Sequence, residues 1–253
     1  MEIYFLGTGS GKINPSRFFS SLYIHDKKKN LLIDTGDGIS RRLLEERIKF
    51  NEIKNILITH FHSDHFSGFP GLITQMKLGK RRTALNIFVH RSLAVTVNSI
   101  LRSFYLFEER LGFKLNFKYF SYNISNRILG RNSFIARQNS HLSKYAGLKR
   151  AGKVSFSSSS FLLNFTKNKI FFTGDLGSAN DLFLFKDQKV DTLITEVTHV
   201  NLDEIIEAAS VQKIKKIVLT HIPDNEKQIR DLIVKKYDNK KIILSTDGLR
   251  LKI

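Results

Sequence analysis

A short segment rich in histidine and aspartate follows an apolar stretch in the first quarter of the chain. In ILITHFHSDH, the residues His60, His62, Asp64 and His65 lie within six positions. Imidazoles and carboxylates this close together are costly to bury without a partner, whereas a divalent cation satisfies all of them. The alternation of His60 and His62 lets both rings reach one ion, and Asp64 and His65 can face a second. The segment therefore predicts a two-metal site, in which ions typically lie about 3.5–4 Å apart.

Three further residues of ligand type end apolar runs elsewhere in the chain. His141 follows SFIARQNS, Asp175 ends IFFTGD, and His221 ends KIVLTH, a run similar to ILITH at His60. Functional groups of α/β proteins gather at the carboxyl ends of strands. We therefore expect these three residues to belong to the same metal site.

Apolar runs and segments of helical period alternate along the chain, and together they predict the elements that carry these residues. The predicted strands cover residues 3–6, 21–24, 31–34, 53–59, 85–90, 113–120, 133–137, 154–165, 170–173, 192–196, 214–219 and 242–245. The predicted helices cover residues 39–48, 71–78, 93–107, 180–185, 202–211 and 225–237. No low-complexity linker divides the sequence. The layout therefore predicts one α/β domain over residues 1–253, with sheets covered by helices.

Composition excludes several classes of protein. The chain has no cysteine, so disulfide scaffolds, thiolate zinc sites and cysteine nucleophiles are excluded. Glu2 stands where a secretory signal would be basic, and no apolar run approaches the roughly 18 residues that cross a bilayer. These features predict a cytoplasmic protein with no membrane partner.

The chain is strongly basic, with 41 Lys and Arg against 23 Asp and Glu and a formal net charge of +18. Such a charge suits a polyanionic partner, because clustered basic residues concentrate phosphates. Here the charge is dispersed in short groups at residues 27–29, 80–82, 213–216 and 235–241. A lysine-rich composition that makes every surface basic explains it as well, and both interpretations stay open.

The histidine segment, with Gly7-Thr8-Gly9 after the first predicted strand and Asp34-Thr35-Gly36 after the third, resembles the metallo-β-lactamase superfamily. The resemblance covers nearly the whole chain and implies an α/β fold, the four-layer αββα sandwich. It also implies a nucleophilic hydroxide between two ions and a complete ligand set. The implied ligands are His60, His62 and His141 for one ion, Asp64, His65 and His221 for the other, and Asp175 as a bridge.

Two phosphodiesterase branches of the superfamily are similar to different parts of the chain. Asp175 stands where lactamases commonly have cysteine, as in hydrolases of phosphodiesters and thioesters. The run DHFSGFPGLI resembles the tRNA 3′-processing endonucleases (tRNase Z), and LTHI…STDGL resembles the phosphoribosyl cyclic phosphate phosphodiesterases (PhnP).

The chain also departs from both branches. Only 34 residues separate His141 from Asp175, which leaves little room for the tRNA-clamping arm of a bacterial tRNase Z. Thr195 replaces the first histidine of its His-Glu-Ala-Thr motif, and the cysteines of the PhnP structural zinc are missing. The natural substrate therefore stays open.

His199 is the candidate for proton transfer to the leaving oxygen. It follows a predicted strand that ends at Glu196, and related phosphodiesterases place a histidine in this region. Glu196 is the candidate that orients the ring, as carboxylates orient catalytic imidazoles generally. The alternative is an exposed loop histidine without a role.

The sequence thus predicts a metal-dependent phosphodiesterase that hydrolyses a small cyclic or nucleotide phosphodiester. Its cofactors are two divalent ions, Zn or Mn, because the ligands mix imidazole and carboxylate. Asp64 also orients the hydroxide. The alternatives are a tRNase Z-like endoribonuclease acting on RNA 3′ ends, a thioester or lactam hydrolase, and a metal-binding protein without turnover. A homodimer is left open.

Overall fold

The computed structural model describes residues 1–26, 30–148, 154–165, 168–237 and 241–253. The basic residues at 27–29 and part of the group at 235–241 lie outside the described residues. The chain forms two compact units: unit 1 contains Met1–Ser121 and Thr246–Ile253, and unit 2 contains Tyr122–Ser245. The single domain expected over residues 1–253 stays a prediction.

Unit 1 contains a mixed sheet of seven strands. Their order across the sheet is β14-β1-β2-β3-β4-β5-β6, antiparallel from β14 to β3 and parallel from β3 to β6. The strands are β1 (Glu2–Gly7), β2 (Ser21–His25), β3 (Leu31–Ile33), β4 (Asn55–Leu57), β5 (Leu85–His90), β6 (Leu115–Phe120) and β14 (Arg250–Lys252).

The helices of unit 1 bury their apolar faces in one core. That core includes Leu43 of α1, Phe69 and Met76 of α3, and Val97 of α4, together with Ile56 from the sheet. Burying each such side chain contributes about 1.5–3 kcal/mol relative to leaving it exposed. The helices are α1 (Ile39–Glu45), α2 (Ser63–Phe66), α3 (Phe69–Leu78), α4 (Ala94–Ser103) and α5 (Glu108–Leu111).

Unit 2 contains a second mixed sheet of seven strands with the same pattern of pairing. Its order is β13-β12-β11-β10-β9-β8-β7, antiparallel from β7 to β10 and parallel from β10 to β13. The strands are β7 (Ser125–Leu129), β8 (Asn132–Gln138), β9 (Ser159–Phe165), β10 (Asn168–Phe172), β11 (Thr192–Glu196), β12 (Lys216–Thr220) and β13 (Ile242–Leu244).

Two helices, α6 (Leu202–Val211) and α7 (Glu226–Lys236), contribute to the core of unit 2. Helix α6 begins with a capping box: the Asn201 side chain accepts from Glu204 N, and the Glu204 carboxylate accepts from Asn201 N, both at 2.9 Å. These bonds satisfy amide groups that a helix leaves unpaired at its start. The sequence predicted the bounds of α6, β5 and β11 correctly.

Several sequence-based predictions of local structure were wrong. The strand expected at residues 154–165 begins at Ser159. The helix expected at 93–107 ends at Ser103 and is followed by the short helix α5. Strands β7 and β14 were missed, because each is short and largely exposed at the edge of its sheet, and such strands lack a buried apolar run. None of the helices in the described ranges combines the length and apolarity needed to cross a membrane.

The buried guanidinium of Arg81 ties together two loops of unit 1. Arg81 is 1% exposed. It donates to the carbonyl oxygens of Phe50 (2.8 Å), Ile53 (2.8 Å), Thr83 (2.7 Å) and Ala84 (3.0 Å). One side chain thereby satisfies four backbone acceptors that lie beside the core.

We expect Arg81→Ala to lower the free energy of unfolding by about 3 kcal/mol, because it leaves buried carbonyl groups without donors. Equilibrium unfolding in urea measures this change. The neighbouring Arg82 is exposed, and Arg82→Ala is the matched control, with an expected change within about 0.5 kcal/mol. Equal stability of the two variants would contradict the structural role of Arg81.

Candidate metal centre

The predicted ligands of unit 1 follow strand β4 and enter helix α2. His60, Asp64 and His65 are buried, and His62 is partly exposed. Ligand atoms of His60 and His62 lie within 4.8 Å of each other, as do those of Asp64 and His65. The Nε2 atom of His65 is 3.5 Å from Asp64 Oδ2. The structure therefore brings these four residues together within unit 1.

Asp34 organises this cluster from the end of the neighbouring strand β3. Its Oδ1 accepts from Thr59 N, and its Oδ2 accepts from the Thr59 hydroxyl, both at 2.8 Å. The same Oδ2 lies 2.7 Å from Nδ1 of His65. Burial raises the pKa of Asp34, and the hydrogen bonds from His65 and Thr59 oppose that shift. Asp34 also has a left-handed backbone, with φ of 57°.

These contacts assign the tautomers of two imidazoles. The Thr59 hydroxyl donates its hydrogen to Asp34. Its oxygen therefore accepts from Nδ1 of His60, at 2.9 Å. His65 likewise donates Nδ1–H to Asp34. A neutral imidazole that donates from Nδ1 carries its lone pair on Nε2. Both rings thus present the Nε2 lone pair on the side away from Asp34 and Thr59, where a metal ligand would need it.

Two glycines let the chain pass close to this cluster. A Cβ at Gly36 would lie 2.3 Å from the backbone oxygen of Asp64, and a Cβ at Gly68 would lie 2.4 Å from the backbone oxygen of Gly36. No larger residue fits at these contacts. Gly36 and Gly68 therefore allow the loop after β3 to pack directly against helix α2 and the residue that precedes α3.

The predicted ligands of unit 2 follow strands β8, β10 and β12. Strands β8 and β10 run in the same direction because both pair antiparallel with β9, and β12 is parallel to them through β11. His141, Asp175 and His221 thus lie beyond the same edge of the sheet, and all three are buried. This placement follows the general rule that sites form at the carboxyl ends of strands.

Asp175 directs one oxygen toward each of the two histidines. Its Oδ2 is 3.6 Å from Nε2 of His141, and its Oδ1 is 3.4 Å from Nε2 of His221. A carboxylate with this arrangement can bind two ions, one beside each imidazole.

The Nδ1 atoms of these histidines also have partners within unit 2. Nδ1 of His141 lies 3.3 Å from the carbonyl oxygen of Leu176. The Thr198 hydroxyl donates to the carbonyl of His221 at 2.6 Å, so it accepts from Nδ1 of His221 at 3.2 Å. Both rings therefore carry the lone pair on Nε2, beside Asp175.

Glu196 and His199 form a hydrogen-bonded pair next to these ligands. Oε1 of Glu196 is 2.9 Å from Nδ1 of His199, and Oε2 accepts from the backbone N atoms of Thr198 and His199, both at 2.7 Å. The centroid of the His199 ring lies 4.9 Å from the ring centroid of His141 and 6.0 Å from that of His221. The hydrogen bond that His199 donates to Glu196 raises the pKa of His199, although desolvation opposes the shift.

The chemistry of the donor groups in both units fits divalent metal ions. The predicted ligands are imidazoles and carboxylates, and the rings of His60, His65, His141 and His221 are oriented through Nδ1 by a neighbouring oxygen. Hydrogen bonding of this kind is typical of metal-binding histidines. The donor set suits zinc or manganese better than calcium, which prefers oxygen ligands.

Four residues without a role predicted from the sequence lie around these groups: Asp34 and Thr59 in unit 1, and Asp181 and Thr198 in unit 2. The position of Asp34 at a strand end, within Asp34-Thr35-Gly36, is the signal in the sequence that could have identified it. The hydroxyls of Thr59 and Thr198 adjoin predicted ligands or the candidate acid, but threonine is too common beside strands to be identified by type.

Comparison with known proteins places the chain in a family. A family model described as "Anti-Pycsar protein Apyc1" matches residues 1–244. Ribonuclease Z of Pyrococcus horikoshii is 38% identical over 105 residues, which are 42% of this chain and 34% of that protein. Ribonuclease Z of Thermococcus kodakarensis is 26% identical over an alignment covering 87% of this chain and 83% of that protein. The match thus spans only about a third of the P. horikoshii relative.

Solved structures show the fold of the whole chain. Human tRNase Z, short form, has a TM-score of 0.73 at 20% identity, and the alignment covers 100% of this chain and 99% of that chain. The metallo-β-lactamase fold protein YhfI of Bacillus subtilis has a TM-score of 0.77 at 16% identity, and the alignment covers 99% of this chain and 98% of that chain. A diphosphatase from the PhnP family has a TM-score of 0.69 at 17% identity, and the alignment covers 100% of this chain and 97% of that chain.

Two predictions from the sequence are therefore confirmed. The chain has the metallo-β-lactamase fold, with two mixed seven-stranded sheets and flanking helices. The predicted relation to tRNase Z is confirmed by sequence as well as by fold, and the predicted similarity to the PhnP family is confirmed by fold.

In the protein without bound metal, we expect His199 to titrate above its ordinary pKa of 6.5, because the Glu196 carboxylate stabilises the imidazolium. The pair contributes stability that is complete below the pKa of the unfolded chain and is lost as the pH rises through the raised folded-state pKa. Glu196→Gln should lower the His199 pKa, as measured by NMR titration. Glu204→Gln, which removes the capping carboxylate of α6, is the control. An unchanged titration in Glu196→Gln would contradict this assignment.

Proposed function

Because the chain belongs to the anti-Pycsar protein Apyc1 family, we propose that it is a metal-dependent phosphodiesterase that hydrolyses small cyclic nucleotides. The observation that carries the proposal is the position of Asp175. Its two oxygens adjoin Nε2 of His141 and Nε2 of His221, respectively. In this arrangement Asp175 would hold two ions together with these histidines, and such a pair would supply the chemistry that phosphoester hydrolases use.

The proposed ligands are those expected from the sequence. We assign His60, His62 and His141 to one ion, Asp64, His65 and His221 to the other, and Asp175 to both. The ions are zinc or manganese, in accord with the mixed donor set. When bound, they supply a hydroxide nucleophile at neutral pH and stabilise charge on the phosphate oxygens.

Asp64 and His199 have separate proposed roles in the reaction. Asp64 combines metal binding with a hydrogen bond that orients the nucleophile for attack on phosphorus. His199 donates a proton to the departing ribose oxygen, and Glu196 holds its ring through Nδ1. The raised pKa of His199 keeps the ring protonated to higher pH, which an acid that works near neutral pH requires.

Cleavage of RNA 3′ ends is the second candidate function. It is favoured by the relatives that are named ribonuclease Z and by the net charge of +18. Affinity for RNA falls steeply as salt rises, because each neutralised phosphate releases counterions. A cyclic nucleotide has one phosphate and depends weakly on salt. Turnover of cyclic nucleotides and of a tRNA precursor, compared at 50 and 200 mM salt, therefore distinguishes the two functions.

We expect Asp64→Ala to lower turnover of a chromogenic phosphodiester by about 10²–10⁴-fold, because both a ligand and the orienting group are lost. The measurement uses protein reconstituted with Zn or Mn. Circular dichroism checks that the fold is retained. The control is Asp231→Ala, which removes an exposed carboxylate from α7 and should leave turnover unchanged. Full activity of Asp64→Ala would refute the mechanism, and an inactive wild-type protein with metal bound would refute the phosphodiesterase function.

We expect His199→Ala to affect substrates according to their leaving group. Hydrolysis of a cyclic nucleotide should slow by about 10²–10⁴-fold, because a ribose alkoxide needs protonation as it departs. Hydrolysis of a nitrophenyl diester should change little, because nitrophenolate is a stable anion. His90→Ala is the control, since the His90 ring is hydrogen-bonded to the Ser92 hydroxyl in unit 1 and has no role in the proposed reaction. Equal losses with both substrates would remove the acid role from His199.

A further inference from the structure

Asp181 is a buried carboxylate for which the proposed reaction has no direct use. It lies in the 3₁₀ turn Ala179–Phe183 of unit 2 and is 7% exposed. A carboxylate this buried needs several hydrogen-bond donors to offset the loss of water. Its donors come from two separate loops, one that precedes His141 and one that follows Asp175.

The first loop contributes Ser140, the residue before His141. The Ser140 hydroxyl donates to Oδ2 of Asp181 at 2.7 Å. The Ser140 backbone N donates to the same carboxylate, at 3.0 Å from Oδ2 and 3.2 Å from Oδ1. Two of the donors on Asp181 therefore belong to the residue that sets the direction of the His141 side chain.

The second loop contributes the backbone that follows Asp175. Gly177 N donates to Oδ2 of Asp181 at 2.9 Å and Ser178 N at 3.3 Å. Just before them, Leu176 N donates to Glu196 Oε1 at 2.8 Å. Three consecutive amide groups after Asp175 thus point at two carboxylates, which fixes the course of this loop.

The two loops are also in direct contact. A Cβ at Gly177 would lie 2.4 Å from the backbone C and from Oγ of Ser140, so only glycine allows this approach. Nδ1 of His141 lies 3.3 Å from the carbonyl of Leu176. The carboxylate of Asp181 therefore joins two backbone segments that already touch, the one that leads into His141 and the one that follows Asp175.

We propose that Asp181 is a positioning residue, which sets the separation of His141 and Asp175 and thereby the metal affinity of the centre. The inference rests on the metal ligands assigned under the proposed function. Oδ2 receives the shortest bonds from both loops, so a single oxygen holds them together. Asp181 is bonded to the residues that adjoin the proposed ligands in sequence, and groups that orient metal ligands typically change metal affinity or activity by about 10–100-fold when they are removed.

The test compares Asp181→Ala and Asp181→Asn in the full chain. The alanine variant removes every acceptor. The asparagine variant retains a neutral oxygen that can take the place of Oδ2 and accept from Ser140 Oγ and Gly177 N. The control is Asp187→Ala, because Asp187 is paired with Arg137, is 52% exposed and belongs to the same unit.

Two readouts report on metal binding without turnover. One is the affinity for Co²⁺ measured in competition with a chelator, and the other is the visible absorption spectrum of the Co²⁺ protein, which depends on ligand geometry. We expect Asp181→Ala to bind Co²⁺ about 10–100-fold more weakly and with an altered spectrum. Asp181→Asn should show a loss of only a few-fold, and Asp187→Ala should match the wild type.

A folded Asp181→Ala variant with wild-type Co²⁺ affinity and spectrum would overturn the inference. If circular dichroism shows that the alanine variant does not fold, the test rests on Asp181→Asn. Wild-type Co²⁺ affinity and spectrum in that variant would overturn the inference. A weaker Co²⁺ affinity with an altered spectrum would support it. Phosphodiesterase assays of the wild type test the proposed function separately. A wild type that binds Co²⁺ but cleaves no phosphodiester would reject that function and leave the role of Asp181 to the metal measurements.

Discussion

The hydrogen bond at Nδ1 of each buried imidazole determines which ring atom is available to a metal. In unit 1 the acceptors for His60 and His65 are Thr59 and Asp34, and the Thr59 hydroxyl is itself held by Asp34. In unit 2 the acceptors are a backbone carbonyl for His141 and the Thr198 hydroxyl for His221. The loops, glycines and strand ends around these residues place an oxygen at the correct side of each ring. Without these oxygens the rings would be free to rotate, and the buried groups would lack compensation for the water they lost.

The two sheets share one pattern of strand pairing, and each has an aspartate at the same place in that pattern. Each has three antiparallel pairings followed by three parallel ones. In each, an aspartate follows the strand where the parallel part begins: Asp34 follows β3 and Asp175 follows β10. The next strand leads to Thr59 in unit 1, which donates to Asp34, and to Glu196 in unit 2, which accepts from the backbone N of Leu176, the residue after Asp175. The aspartates nevertheless have different roles, because Asp34 receives hydrogen bonds from Thr59 and His65, whereas Asp175 faces two Nε2 atoms.

Four buried carboxylates near the candidate ligands are of two kinds, those placed to bind metal and those that accept from backbone. Asp64 and Asp175 adjoin Nε2 atoms of histidines. Glu196 and Asp181 accept mainly from amide groups of the loops that carry the candidate ligands and the candidate acid. The second kind holds irregular backbone in place where no strand pairing does so. A site composed largely of loop residues can therefore be rigid although few of its residues belong to strands or helices.

The sequence by itself determined the types and the spacing of the groups that could bind metal, together with most strands and helices. The segment from His60 to His65 is local, and its neighbouring ligand types and apolar strand can be recognised in one window of the chain. Strand ends likewise indicated His141, Asp175 and His221. Only the tertiary structure decided which oxygen orients each ring. Asp34 and His65 are 31 residues apart, and Ser140 and Asp181 are 41 apart. Hydrogen bonds over such separations leave no periodic pattern in the sequence, because they depend on which strands pair and where each loop turns.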